Sequence, residues 1–299
     1  VSRRFPLLLV AVSLLWGASF LFIKIADRQL SPATLILGRL GLATVALAVI
    51  VPVLVGRGAT LSGLRANVRW LAIVGLVNVA IPFWLLSWGE KRIASGLASI
   101  IQAAVPIFNA VVAFGFFREV RVTGLRLAGV AIGFVGVALL VGAQPHGKVL
   151  GALAVCGMAL CYAVGQLLAG RYLVDLEPPV VALGTIGIAA LAAAPAGIVE
   201  APQHLPSWKT IGSIVMLAVP LTAVAFLLFY AIIGGAGAAY ASLVTYLVPP
   251  IALAYGSVFL GERFGAVAFG ALALILGGVV LGTGRVRLRR RRRSLASQA

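Results

Sequence analysis

Long unbroken apolar runs, separated by short polar breaks, set the pattern of this chain. Ten stretches approach or exceed the roughly 20 mostly apolar residues that a helix needs to cross a bilayer. They are Pro6–Ala26, Pro32–Val55, Trp70–Trp88, Ala94–Phe117, Gly124–Gly142, Leu150–Gly170, Pro178–Val199, Ile211–Ile233, Ala238–Leu260 and Ala266–Gly282. Lipid offers no hydrogen bonds, so a spanning backbone must satisfy its own amides as helices or as a closed barrel. A barrel alternates apolar and polar residues with period two. These runs do not, and the pattern therefore predicts an all-α polytopic membrane protein with little structure outside the bilayer.

Composition agrees. Of 299 residues, 62% are apolar and only 10% charged, whereas a soluble domain carries about a quarter charged residues to face water. The net charge of +17 is inflated by seven arginines between Arg285 and Arg293. No basic stripe with interleaved aromatics occurs elsewhere, so the tail reads as an orientation anchor touching anionic lipid rather than a nucleic-acid site. With the N-terminus in the cytoplasm, sixteen Lys and Arg fall on the cytoplasmic side and seven on the other, with Arg39 inside the membrane. That bias puts both termini in the cytoplasm. Val1 and the excess of arginine over lysine suggest a bacterial gene. The run from Pro6 reads as a retained first span rather than a cleaved signal. Cys156 and Cys161 read as small buried hydrophobes, and His146 and His204 fall in predicted loops.

The chain also repeats itself. Leu30 to Gly41 matches Leu176 to Gly187, with Pro32, Gly38 and Gly41 falling on Pro178, Gly184 and Gly187. Farther on, Ser99, Val105, Pro106, Phe116 and Glu119 match Ser242, Val248, Pro249, Phe259 and Glu262. Each half holds five spans, an odd number, so the halves must be inverted relative to each other. The expectation is ten transmembrane helices as two inverted five-helix repeats, residues 1–145 and 146–284, followed by a basic cytoplasmic tail over 285–299. Inverted repeats place substrate sites at their interface near the bilayer midplane.

The same residues carry a family resemblance. Leu15-Trp16-Gly17-Ala18-Ser19-Phe20, Lys24, and Pro32 with Arg39 resemble the opening of the EamA family of the drug/metabolite transporter superfamily. So do the elements from Val105-Pro106 to Arg118-Glu119 and from Val248-Pro249 to Gly261-Glu262-Arg263. The resemblance spans the whole chain and implies an alternating-access transporter, similar to bacterial exporters of amino acids, aromatic ones included. It departs from the pattern at Arg118, where the second half keeps Gly261.

Polar groups within lipid are costly unless they face protein or a wet cavity. Ser95, Ser99, Gln102, Pro106 and Asn109 recur at helical spacing on one face of the fourth span. Ser242 and Thr245 occupy the duplicated positions in the ninth. The serines fit either interhelical glue or a binding role. Gln102 and Asn109 are bulkier and suit a cavity, with Asn78 and Gln166 similar. Trp16, Trp84, Tyr162 and Tyr246 lie deep enough to stack on an aromatic substrate or to pack the core. Arg39 either meets a substrate carboxylate or snorkels toward the surface. Pro106 and Pro249 are candidate hinges, because proline frees a helical carbonyl and permits a kink. Pro220 reads as packing shape.

All seven acids lie at or near span ends. The absence of a mid-membrane carboxylate argues for a neutral or zwitterionic substrate. Were transport driven by a pH gradient, Glu90 and Asp27 would be the groups to test. Glu119 and Glu262 read as structural caps. Gly129, Gly133, Gly136, Gly278 and Gly282 either join the fifth and tenth spans or form a dimer face. With no His and no deep Asp in the spans, intramembrane hydrolysis is a poor fit, and no cofactor or metal site is expected. The reading is an exporter of amino acids, neutral or aromatic preferred, or related small metabolites. It sits in the bacterial inner membrane as a monomer or homodimer. The alternative is a multidrug or nucleoside exporter of the same fold.

Overall fold

The computed structural model describes residues 4–116, 124–144 and 146–282. Arg3, Arg118, Glu119, Arg121 and the arginines from Arg285 to Arg293 lie outside the described residues. Among those described, all regular structure is helical. In the first part of the chain come α1 (Arg4–Ala26), α2 (Pro32–Val55), α3 (Arg57–Ala66), α4 (Val68–Gly75), a π-helical segment over Leu76–Ala80, α5 (Ile81–Glu90), α6 (Ser95–Gln102), α7 (Val105–Phe116) and α8 (Leu125–Gly142). Then follow α9 (His146–Tyr172), α10 (Pro178–Val199), α11 (Trp208–Ala218), a second π segment over Val219–Val224, α12 (Ala225–Ala236), the short α13 (Ala238–Ala241), α14 (Val244–Leu260) and α15 (Ala266–Gly282).

Local chemistry fixes many of these boundaries. Ser31 caps α2 by accepting from the Thr34 amide at 3.1 Å, with Pro32 in the first turn, where its missing N–H costs nothing. Ser207 caps α11 through the Thr210 amide in the same way. Gly261 ends α14 in the left-handed region at φ 67°, a conformation that glycine adopts without steric cost.

Among the described residues, seven helical stretches are long and apolar enough to cross a membrane: Arg4–Ala26, Pro32–Val55, Val68–Glu90, Ser95–Ala113, Lys148–Tyr172, Pro178–Val199 and Trp208–Ala236. Three shorter apolar helices, Leu127–Gly142, Val244–Leu260 and Ala266–Gly282, accompany them. Large apolar side chains such as Val45, Val53, Leu191 and Val199 are exposed along the outside, as expected for a multi-pass membrane protein solvated by lipid.

Several expectations need correction. The polar break after the second span folds as α3, a helix with Arg57 and Arg65. His146 begins α9 rather than sitting in a loop. The third and eighth stretches each contain a π turn, which sequence periodicity does not announce. The fourth is interrupted by turns at Ala103 and Ala104, just before Pro106, and the ninth by turns at Ser242 and Leu243. Pro106 thus follows a real interruption. Pro249 does not: α14 runs through both Pro249 and Pro250.

Packing explains the glycines. A Cβ on Gly278 would come within 2.6 Å of the Gly129 carbonyl and of the Gly133 amide, so α8 and α15 touch backbone to backbone. Gly136 faces α15 likewise, and the glycine pairs join helices within the chain. Elsewhere α2 packs along α10. Helix α1 packs against α11, α12 and α14, while α9 packs against α4, α5, α6 and α7.

Candidate functional site

Two polar clusters lie along α9, and α2, α5, α7 and the π turns complete them. The first centres on Arg39. It is 5% exposed, so the guanidinium does not snorkel outward. Its Nε donates to Thr222 Oγ1 at 2.9 Å, and its plane lies over the Phe83 ring at 4.3 Å. Tyr162 on α9 and Glu90 at the end of α5 lie within electrostatic reach. The π turn matters here, because Thr222 in turn donates to the Leu217 carbonyl five residues back. That i−5 step belongs to the wide turn that presents the hydroxyl to Arg39.

The second cluster lies farther along α9. Asn109 Nδ2 on α7 donates to Gln166 Oε1 at 2.9 Å. Asn78, carried by the first π turn, packs where a Cβ on Gly165 would meet its own Cβ at 2.4 Å. Asn78 Oδ1 and Asn109 Oδ1 are buried and receive no donor from the protein. A shallow surface hollow of about 510 Å³, lined by Gln166, Leu167, Gly170 and Arg171 of α9, lies at the Gln166 side of this cluster. A larger groove of about 1070 Å³ runs between α2, α3, α4 and α10, but Leu, Val, Ala and Gly line most of it. Its composition suits acyl chains, and the buried amides therefore mark the candidate site better than volume does.

The remaining sequence candidates divide. Trp16 packs its ring 5.8 and 4.9 Å from Phe226 and Phe229, an aromatic cluster on α12. Trp84 is 42% exposed and stacks against Trp88 on α5. Ser99 is fully buried, its hydroxyl donating to the Gly96 carbonyl within its own helix. Gln102, Ser242, Thr245 and Tyr246 are half-buried around the two helix interruptions. Cys156 and Cys161 are free thiols, half-buried rather than fully so. Among the described residues no three His, Cys, Asp or Glu side chains are grouped to hold a metal ion.

A third feature lies at the end of the bundle where α1 and α5 finish; the sequence singled out Asp27, Glu90 and Glu262 there one by one, but not the network that joins this end. Bonds gather there. Lys24 Nζ donates to the carbonyls of Glu90 and Ile93, and Lys91 Nζ to that of Leu30. Ser87 Oγ donates to Asp27 Oδ1 at 2.7 Å. Gln29 Oε1 accepts from Ser207 N and Thr210 Oγ1, both at 2.8 Å, and Thr34 Oγ1 donates to the carbonyls of Gly197 and Glu200. Glu262 caps α6 from outside, accepting from Ser95 N, Ser95 Oγ and Gly96 N. Burial pushes the Asp27 carboxyl up to about 7, against the opposing pull of Ser87, Lys91 and Lys24. Its position just past a span end signalled nothing of this burial.

Comparison with known proteins completes the description. A "probable terminal-alkyne amino-acid exporter" of Streptantibioticus cattleyicolor is 31% identical over 96% of this chain and 95% of its own. A "probable amino-acid metabolite efflux pump" of Salmonella typhimurium is 25% identical over 97% of this chain and 98% of its own. A solved crystal structure superimposes with a TM-score of 0.64 at 19% identity, covering 95% of this chain and 98% of that one, which shows a shared fold. The EamA-like transporter family matches residues 4–142 and again 149–283. Matched over nearly its whole length, the chain belongs to the EamA-like transporter family.

Proposed function

We propose that the protein is an alternating-access exporter of amino acids, neutral or aromatic, or of related small metabolites across the bacterial inner membrane. The observation that carries this is the pair of buried amide oxygens, Asn78 Oδ1 and Asn109 Oδ1, left without a donor beside Gln166. An unsatisfied buried acceptor costs about 1–3 kcal/mol. A ligand ammonium or amide N–H relieves that cost, and Arg39 on the neighbouring cluster suits a carboxylate. Trp16, with Phe226 and Phe229, and Tyr162 supply apolar surface for a side chain.

The architecture in this reading is ten helices in two inverted repeats, 1–145 and 146–284, with both termini cytoplasmic. The two π segments support it, since Leu76 and Val219 start them 143 residues apart, the same offset as the Pro106–Pro249 match. Packing supports it as well. Exchanging the halves turns the contacts of α1 with α11, α12 and α14 into those of α9 with α4, α5 and α6–α7. Each half's first helix is thereby embedded in the other half, which suits motion of one half against the other.

The test is flux through purified protein in liposomes. Asn109→Leu is expected to reduce the flux of a labelled neutral amino acid at least about tenfold, equivalent to about 1.4 kcal/mol, with membrane abundance unchanged. Undiminished flux would remove this cluster from the pathway. Efflux of nucleosides or lipophilic cations in place of amino acids would select the alternative exporter of the same fold.

A further inference from the structure

Three of the four carboxylate oxygens of Asp27 and Glu90 are buried without a donor. Glu90 is 0% exposed and neither of its carboxylate oxygens has a hydrogen-bond partner; Asp27 is 8% exposed and only its Oδ1 is bonded, by Ser87. Ser87 precedes Glu90 by three residues on α5, so the two point the same way, and Asp27 is held against Glu90's turn. Each acid lies within electrostatic reach of the other.

Lys24, Lys91 and Arg39 lie within electrostatic reach of the pair, but none of them gives its carboxylates a hydrogen bond. Lys24 of α1 gives its ammonium to the Glu90 and Ile93 carbonyls, and Lys91 gives its own to Leu30. Arg39 of α2 is bonded to Thr222 and stacked on Phe83. Glu262, the remaining acid in reach of Glu90, is bound to the first amides of α6. Carboxylates of like charge that lack donors cannot both stay ionised in a dry site without large cost. A proton relieves this cost by removing one of the two charges.

We propose that Asp27 and Glu90 form a single proton-binding site through which a transmembrane pH difference drives transport. The proposal rests on the transporter reading above and adds its energy source. The pair sits where bonds close one end of the bundle. Parting α1 from α5 would wet the acids and let the proton leave; closing that end again requires the proton back. Proton affinity thus differs between the two conformations, which is what allows a proton gradient to bias their exchange.

Two measurements on the purified full chain separate this claim from the export reading. The first is an infrared titration without substrate over about pH 5 to 9, a range reaching well above ordinary carboxyl values. The wild type is expected to show a protonated-carboxyl band that persists to near neutrality. Asp27→Asn and Glu90→Gln should each lose it, and Ser87→Ala, which removes a donor to the ionised acid, should move its midpoint upward. No such band in the wild type, or the same band in Glu90→Gln, would overturn the proposal. The second is amino-acid flux into or out of liposomes with and without a pH difference. The gradient should accelerate wild-type flux, and Glu90→Gln should lose that acceleration. Wild-type flux indifferent to the gradient, or driven by sodium instead, would also overturn the proposal. No amino-acid flux under any condition would count against the export reading and leave the titration to decide the proton site.

Discussion

Residues in this protein owe their roles less to type than to what their neighbours leave unbonded. Asp27 shows it through linkage. Its carboxyl is raised from 3.8 to about 7 in the folded chain. Between those values the native state holds a proton that the unfolded state has released. Stability contributed by this group is therefore full below about pH 4 and falls as pH rises through about 7. Thermal unfolding in detergent should show wild-type stability declining over that window, and Asp27→Asn should flatten the decline. An Asp27→Asn profile as steep as wild type would place the titration elsewhere. Arg39 was visible in the sequence as a cation inside a span, but its partners were not. Thr222 and Phe83 sit on other elements, and the π turn that aims Thr222 shifts the helical phase on which sequence reasoning depends. For Trp84, depth along the helix announced neither its exposure nor its pairing with Trp88.

Among elements, spans with long apolar runs were legible to within a few residues, because apolar length is itself the physical requirement. Helix α3 was not, since polar residues beside a span read equally as a loop. The glycine spacing pointed to close contact but left its partner open, and the structure pairs α8 with α15. Gly278→Val should sharply reduce folded protein in the membrane, because backbone atoms at 2.6 Å cannot yield. Gly277→Ala meets nothing within 4 Å and should be tolerated. Equal yields would contradict the packing. The reading of Glu262 as a structural cap holds in geometry, and its target lies 167 residues away at Ser95. Glu262→Ala removes three bonds from the start of α6 and should cost about 2 kcal/mol. Glu177→Ala, at the start of α10 where no side-chain cap bond forms, should change stability little. A differential melt of the two variants checks this directly.

On the scale of the whole molecule, bonds between the two halves concentrate at one end of the bundle, around Gln29, Thr34, Ser95, Ser207, Thr210 and Glu262. Toward the other end Gln166 is exposed beside a shallow hollow with Gly170 and Arg171, and carries the bond from Asn109. In the proposed alternating-access cycle, this corresponds to a state with the first end fastened. In the proposed orientation the fastened end faces out. Cysteines replacing Gln29 and Thr210, bridged by a short bifunctional reagent, should hold that end shut and stop flux until the link is cleaved. Transport that survives the link would mean the fastened end does not open. The duplication was legible because prolines and glycines recur at nearly constant offset; the fastening was not, since it depends on side chains brought together from opposite halves.

The decisive measurement is flux of labelled amino acids through the purified protein in liposomes. Neutral or aromatic amino acids should move, at a rate that falls when Asn109 becomes Leu and responds to a pH difference in the wild type. Liposomes carrying well-folded protein that move no amino acid, with or without the gradient, would contradict amino-acid export.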